Sequence, residues 1–189
     1  MKVGRQTHFW KNNVLAIGLA AGFIEPLESS GLHLVQIGIE RFLELLPGTG
    51  DTRPLQTAYN KEMAAVFDDV LNFVQLHYHL SQREEAFWKA ARELPINAAL
   101  QHRLRLYDES GTLDQLQPDA FPDTSYYFLL SGNNRLPKRP SALSLSADPE
   151  RLKFVMQAIL DQNKNALRDL PLHEEMLRLI HSQKLSKAS

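Results

Sequence analysis

Strand-like sequence is confined to one short stretch, Asn13 to Ile17 (Asn-Val-Leu-Ala-Ile), and that constrains the fold more than any other feature. An apolar run of this length bounded by turn residues reads as a buried strand, and a strand without partners is marginal in water. No alternation of strands and helices comes after it, so these residues cannot build a doubly wound sheet by themselves. The expected fold is mainly α. The short strand or hairpin at the start is expected to belong to a sheet completed by residues upstream.

The remainder of the chain reads as helix and loop. Leu32 to Leu46 is apolar nearly all round until Pro47 stops it, which predicts a helix buried on most sides, with Ser29 and Ser30 offering N-cap hydroxyls. Met63, Val66, Phe67, Val70, Leu71 and Val74 recur with helical spacing inside a long amphipathic helix from about Leu55 to Leu80. Glu84 to Glu93 and Asn97 to Tyr107 predict two more helices separated by Pro95. Asp108 to Ala147 is rich in Pro, Ser, Gly and Asn and reads as mostly irregular, with a short helix near Tyr126 to Leu130. Asp148 as N-cap and Pro149 at the first helical position introduce a helix with Leu152, Val155, Met156, Ile159, Ala166 and Leu167 on its core face. A last helix starts at Pro171 with Met176, Leu177 and Ile180 inward, and a polar tail from Gln183 is expected to fray.

Composition removes several classes of function. The net charge of −1 supplies no positive field for nucleic acid or an anionic membrane. The longest apolar run, Val14 to Ile24, is broken by Gly18 and Gly22 and is too short to span a bilayer. With no cysteine there is no disulfide, thiolate metal site or cysteine nucleophile, and a cytoplasmic setting is expected. His77 and His79 stand two apart, which puts them on different helix faces, so they read as packing or surface residues rather than a metal pair. His33 reads as a hydrogen-bonded core histidine. No metal is expected.

The segment that carries chemistry is Gly18 to Gly31, Gly-Leu-Ala-Ala-Gly-Phe-Ile-Glu-Pro-Leu-Glu-Ser-Ser-Gly. Small residues let the backbone approach a flat ligand, and the helix start at Ser30, Gly31 and Leu32 presents unpaired amides to an anion. Glu28, beside that helix start, is placed to handle a proton or steady a developing cation. A tight strand-to-helix joint in which Glu28 and the serines only cap the helix is the simpler alternative, and spacing leaves both open.

Glu25 to Gly31 (Glu-Pro-Leu-Glu-Ser-Ser-Gly), with Val3-Gly4-Arg5, Phe9-Trp10, His33, Arg41-Phe42 and Leu45-Leu46-Pro47, resembles the flavin-dependent tryptophan halogenases. Weaker similarity at Phe73 to Tyr78, Arg83, Phe87-Trp88 and Leu170-Pro171 extends it over nearly the whole chain. The resemblance implies an enzyme in which reduced FAD (FADH2), supplied by a flavin reductase, and oxygen convert chloride or bromide to hypohalous acid. That acid reaches tryptophan or a related indole through a tunnel. It implies Glu28 as the catalytic residue and Ser30 and Gly31 as halide ligands. Gly18, Leu19, Ala20 and Leu32 are implied to lie against the flavin. Tyr78, Phe87 and Trp88 are implied to line the substrate pocket, with Glu84 or Glu85 for a substrate amino group.

Residues 1–31 are then expected to be a remnant of the FAD-binding domain with the halide loop, and residues 32–189 the helical substrate-side domain. The family's Gly-x-Gly-x-x-Gly fingerprint, tunnel lysine and Trp-x-Trp-x-Ile-Pro signature have no counterpart, so this chain alone is expected to be inactive; a separate chain that supplies the flavin-binding half is a third reading beside the fragment and the alternative below. The stretch Arg83 to Trp88 is one residue shorter than the family pattern and lacks its proline, which points to an altered pocket. The alternative is a non-catalytic truncated remnant or a helical interaction module.

Overall fold

The residue spacing of the longest helix organises the first part of the chain. In a computed structural model that describes residues 3–114 and 120–186, the protein divides into two compact units, Met1–Ser141 and Ala142–Ser189. In the first unit, helix α2 (Arg53–Leu80) buries Tyr59, Met63, Val66, Phe67, Val70, Phe73, Val74, Leu76 and Leu80. These positions recur every three or four residues and so share one broad face. Pro54, near its first turn, costs no intrahelical bond there.

Two separate cores meet on α2. Its first two thirds pack against Phe9, Trp10, Ala21, Ile24 and Leu34, and its last turns pack Phe73, Leu76 and Leu80 against Leu100, Leu104, Tyr107, Tyr126 and Leu130. Each fully buried apolar side chain of this size contributes about 1.5–3 kcal/mol. The second core is closed by α4 (Ala98–Ser110) and α5 (Asp123–Gly132), while α3 (Ala86–Glu93) lies against α2 without burying a residue. The Asn97 side chain accepts from the Leu100 N–H and starts α4, while Gly111 ends it in the left-handed conformation.

The β structure is limited to two short antiparallel ladders. β1 (Gly4–Arg5) pairs with β4 (Gly22–Phe23), and β2 (Trp10–Lys11) pairs with β3 (Val14–Leu15) across a turn in which Asn12 takes a positive φ of 55°. The hairpin is held to α2 by Asn60. Its Oδ1 accepts from the Phe9 and Trp10 N–H groups (2.6 and 2.8 Å) and its Nδ2 donates to the Trp10 carbonyl (2.8 Å). This satisfies backbone groups that a lone hairpin leaves open.

The close approach of β1 and β4 makes Gly22 sensitive. A Cβ there would stand 2.7 Å from the Gly4 carbonyl oxygen and 2.8 Å from both Arg5 Cα and the Phe67 ring. Gly22→Ala is expected to destabilise by about 1–3 kcal/mol, as overpacking does. A urea midpoint equal to that of the parent would show that the ladder does not need this contact.

Helix α1 (Gly31–Glu44) departs from expectation. Only Leu34 and Gly38 are buried, while Leu32, Ile39 and Leu43 are exposed (84, 44 and 60%) and His33 is exposed rather than in the core. The reason is coverage: α2 packs one side of α1, where the buried Tyr59 hydroxyl donates to the Gly38 carbonyl at 3.1 Å. Ser30 holds the N-cap position but makes no side-chain capping bond, and Ser29 lies outside the helix.

A buried ionic cluster ties α2, α4 and α5 together. Arg103 (2% exposed) reaches Asp69 at 3.4 Å, Asp114 at 3.3 Å and Asp123 at 3.1 Å, and its guanidinium lies over the Tyr126 ring at 3.9 Å. Asp69, itself buried, also accepts from the Tyr126 hydroxyl (2.7 Å) and the Ala120 N–H (2.9 Å). Burial pushes the Tyr126 hydroxyl pKa up, so it stays a donor.

The second unit holds α6 (Ala142–Leu145), α7 (Pro149–Asp169) and α8 (His173–Ser186). Asp148 accepts from the Glu150 N–H with Pro149 at the start of α7, as the sequence predicts. The expected core faces are not covered: Leu152, Val155, Met156, Ile159 and Leu167 of α7, and Met176, Leu177 and Ile180 of α8, are exposed. Two helices and a single short turn enclose too little volume to bury them. The last helix begins at His173, two residues after Pro171, and runs to Ser186; residues 187–189 of the expected frayed tail lie outside the described residues.

Candidate active site

The chain turns sharply before α1, and each bend has a local cause. Gly18 takes a φ of 62° and opens a single 3-10 turn through Ala20; β4 comes next, with Ile24 buried. Pro26 to Glu28 forms a second 3-10 turn closed by Ser29 N–H donating to the Pro26 carbonyl (2.9 Å). Ser29 then adopts a left-handed φ of 51°, a conformation that costs a residue with a Cβ and recurs at functional loops. The first helical bond runs from Leu34 N–H to the Ser30 carbonyl, which leaves the amides of Gly31, Leu32 and His33 without intrahelical acceptors.

Loop and helix start together line an apolar cleft of about 490 Å³. Gly18, Leu19, Ser30, Gly31 and Leu32, named separately from the sequence, share its wall. Ser30 is buried, whereas Leu19 and Leu32 are largely exposed. Ala20 is exposed and stands outside the cleft wall. The lining suits the flat face of a large aromatic ring, since it is mostly carbon and carries glycine at three positions, Gly18, Gly22 and Gly31. A nucleotide pyrophosphate would find neither glycine fingerprint nor basic side chain on this wall.

Glu28, between Pro26 and Ser29 of that loop, has a partner on α2. Its Oε1 lies 2.6 Å from His77 Nε2 on the last turn of α2, and His77 Nδ1 lies 2.8 Å from the Phe73 carbonyl. The Phe73 ring stands edge-on to the imidazole at 4.9 Å. His77 is therefore neither a surface histidine nor a mere packing residue. Nothing in its spacing could announce this, because the partner comes from a distant loop.

The next residue on α2 serves the other glutamate. The Tyr78 hydroxyl donates to Glu25 Oε2 at 2.5 Å, and desolvation first, then this bond, push its pKa up to about 12. The phenol therefore remains a neutral donor at any ordinary pH. Tyr78 stacks on Trp88 at 5.6 Å, and Phe87 meets both edge-on, so the three expected substrate-pocket aromatics form one group. Arg83 covers Trp88 at 4.9 Å and pairs with Glu85, which draws the Glu85 carboxyl down to about 2. Glu84 points to the surface and pairs with Lys89 at 2.8 Å.

Two further clefts lie on this aromatic side. One of about 550 Å³ has Leu27, His77, Arg83 and Trp88 in its wall, and a smaller one of about 210 Å³ has Glu25, Tyr78 and Phe87. Among the described residues no group of three His, Asp or Glu could hold a metal ion, and no helix is long and apolar enough to cross a membrane.

A family model described as tryptophan halogenase matches residues 1–149. The chain belongs to the tryptophan halogenase family. It is 34% identical to tryptophan 6-halogenase SttH of Streptomyces toxytricini over 93% of its own length, and 28% identical to tryptophan 7-halogenase RebH of Lentzea aerocolonigenes over 96%. Among solved structures it resembles BrvH, a flavin-dependent halogenase from Brevundimonas sp. BAL3, with a TM-score of 0.81 at 29% identity over 93% of the chain. The chain spans 34% of SttH, 38% of RebH and 36% of the BrvH chain, roughly a third of a halogenase in each case. The mainly helical fold matches that part of the halogenase structures, and both glutamates of the site belong to the family-like Glu25–Gly31 run.

Proposed function

We propose that the chain supplies the halide loop and the substrate wall of a flavin-dependent halogenase acting on tryptophan or a related indole. One observation carries the reading: the single loop Glu25 to Gly31 lends residues to the flavin-like cleft (Pro26, Ser29, Ser30 and Gly31) and to both clefts of the aromatic side (Leu27 and Glu25). A halogenating site needs that arrangement, because the oxidant is made on one side of the loop and used on the other.

Gly18, Leu19 and Leu32 would lie against the flavin ring, with Ala20 at the margin. Reduced FAD, replenished by a flavin reductase, supplies with oxygen the oxidising equivalent that turns chloride or bromide into an electrophile. The Ser30 and Gly31 amides, at the positive end of α1, hold the halide. Glu28 orients the halogenating species or takes the proton that leaves the ring, and Tyr78, Phe87 and Trp88 hold the indole by stacking. Glu84, paired with Lys89 at 2.8 Å, or Glu85 would meet a substrate amino group. Residues 1–31 act as the edge of the flavin-binding domain and residues 32–189 as the substrate side.

The chain by itself does not halogenate on this reading, since no Gly-x-Gly-x-x-Gly run stands in its 189 residues. A flavin-binding half, on the same polypeptide or another, completes the site. The exposed row Leu32, Ile39, Leu43 and Leu46 along and just beyond α1 is apolar surface of the kind that another body covers. The same surface supports a second reading, a helical interaction module without catalysis.

The test combines the chain with a flavin-binding half from a family member, FAD, a reductase, chloride and tryptophan. Chlorinated indole product is expected with both parts and none with the chain alone. Bound flavin without product favours the interaction module. In the active assembly, Phe87→Ala is expected to raise KM for the aromatic substrate roughly three- to tenfold, the worth of one aromatic contact. An unchanged KM removes Phe87 from the pocket.

A further inference from the structure

We infer that His77 is a positioning residue for Glu28, and that the two side chains form one unit sharing a single proton. The inference deepens the functional reading above and rests on it for the role of Glu28; the contact itself rests on geometry alone. A backbone carbonyl only accepts hydrogen bonds, so the 2.8 Å contact between His77 Nδ1 and the Phe73 carbonyl places a proton on Nδ1. That assigns the other ring nitrogen to Glu28. At 2.6 Å, Nε2 and Oε1 are too close to lack a proton between them, and one proton suffices whether it is written on nitrogen or on oxygen.

The Phe73 carbonyl and ring fix the imidazole from within α2, a helix anchored at both ends by separate cores. The imidazole in turn selects which Glu28 oxygen is spent on the protein. Oε1 is taken by His77, and Oε2 is left to meet the reacting ring or the halogenating species. Without His77 the carboxylate, on the 3-10 turn before Ser29, has no other side-chain partner among the described residues to set its rotamer. Because His77 also stands in the wall of the cleft shared with Trp88, the same helix turn sets the carboxylate relative to the aromatic wall.

The contact is tested on the chain as it is, and the role in the halogenating assembly. In long-range proton–nitrogen spectra of the chain labelled in its imidazoles, His77 is expected to be protonated at Nδ1, with a far-downfield proton at Nε2 that disappears in Glu28→Gln. A His77 protonated only at Nε2, or one indifferent to Glu28→Gln, overturns the inference whatever the enzyme does. In the assembly, His77→Phe keeps the ring shape and removes both hydrogen bonds. It is expected to lower kcat roughly 10- to 100-fold, the effect of a misplaced catalytic group, with KM unchanged. His77→Gln, which returns an amide donor near the same place, is expected to recover most of the loss and guards against a folding defect in the first variant. Equal kcat for His77→Phe and the parent overturns the positioning role, and so does a loss seen equally in kcat, KM and melting temperature and not relieved by glutamine. A parent assembly that makes no halogenated product defeats the functional reading, and the spectra still decide the contact.

Discussion

Arg103→Ala is expected to destabilise the first unit by about 3–5 kcal/mol, the loss seen when one partner of a buried ion pair is removed. The guanidinium is 2% exposed and is the shared partner of Asp69, Asp114 and Asp123. Asp123 is partly exposed and can turn to water, so its share is small, whereas the Asp114 Oδ1 that faces Arg103 is buried without a hydrogen-bond partner and adds to the loss. Asp69 cannot turn to water: it is 3% exposed and would keep only the Tyr126 hydroxyl and backbone amides as partners. Urea unfolding followed by the near-ultraviolet signal of the tyrosines checks this. Adding Asp69→Asn to the variant is expected to return part of the loss, which separates stranded charge from lost packing. A single-variant loss below about 1 kcal/mol would show that water reaches the cluster and that Arg103 acts as a surface residue.

The second large effect concerns chemistry. In the active assembly, Glu28→Gln is expected to cut halogenation turnover by about 10²–10⁴-fold, the span of general acid–base contributions, with KM little changed. Glutamine keeps the shape and can still bond to His77, so the fold and the aromatic wall should persist. What it loses is the charge and the ability to accept a proton at neutral pH. Turnover equal to that of the parent would reduce Glu28 to a structural partner of His77 and move the proton-handling step elsewhere.

Local sequence announced some features and was silent on others. The spacing along α2, the Asp148–Pro149 start of α7 and the stop before Pro47 depend on neighbours within a turn, and the structure has them. The Glu25–Gly31 run was legible because its residue types are rare in that order; of the residues expected against the flavin, Gly18, Leu19 and Leu32 share a wall with the two expected halide ligands, Ser30 and Gly31, while Ala20 stands outside it. Periodicity told apolar faces apart from polar ones but not covered faces from bare ones. That is why α1 and α7 read as core and stand exposed. The His77–Glu28 pair and the Arg103 cluster were invisible, since each joins residues that only the folded backbone brings together.

The two cores on α2 impose a length. Asn60 grips the hairpin near one end, and His77 and Tyr78 hold the two glutamates near the other, all on one uninterrupted rod. At 3.6 residues per turn, inserting or deleting one residue between them swings everything beyond by about 100° and shifts it by about 1.5 Å. Both glutamates would lose their partners in the same event. Substitutions can accumulate along this helix, but the count of residues from Asn60 to Tyr78 works as a fixed ruler, and relatives that keep the hairpin grip and both glutamate partners should preserve that count while their surfaces drift.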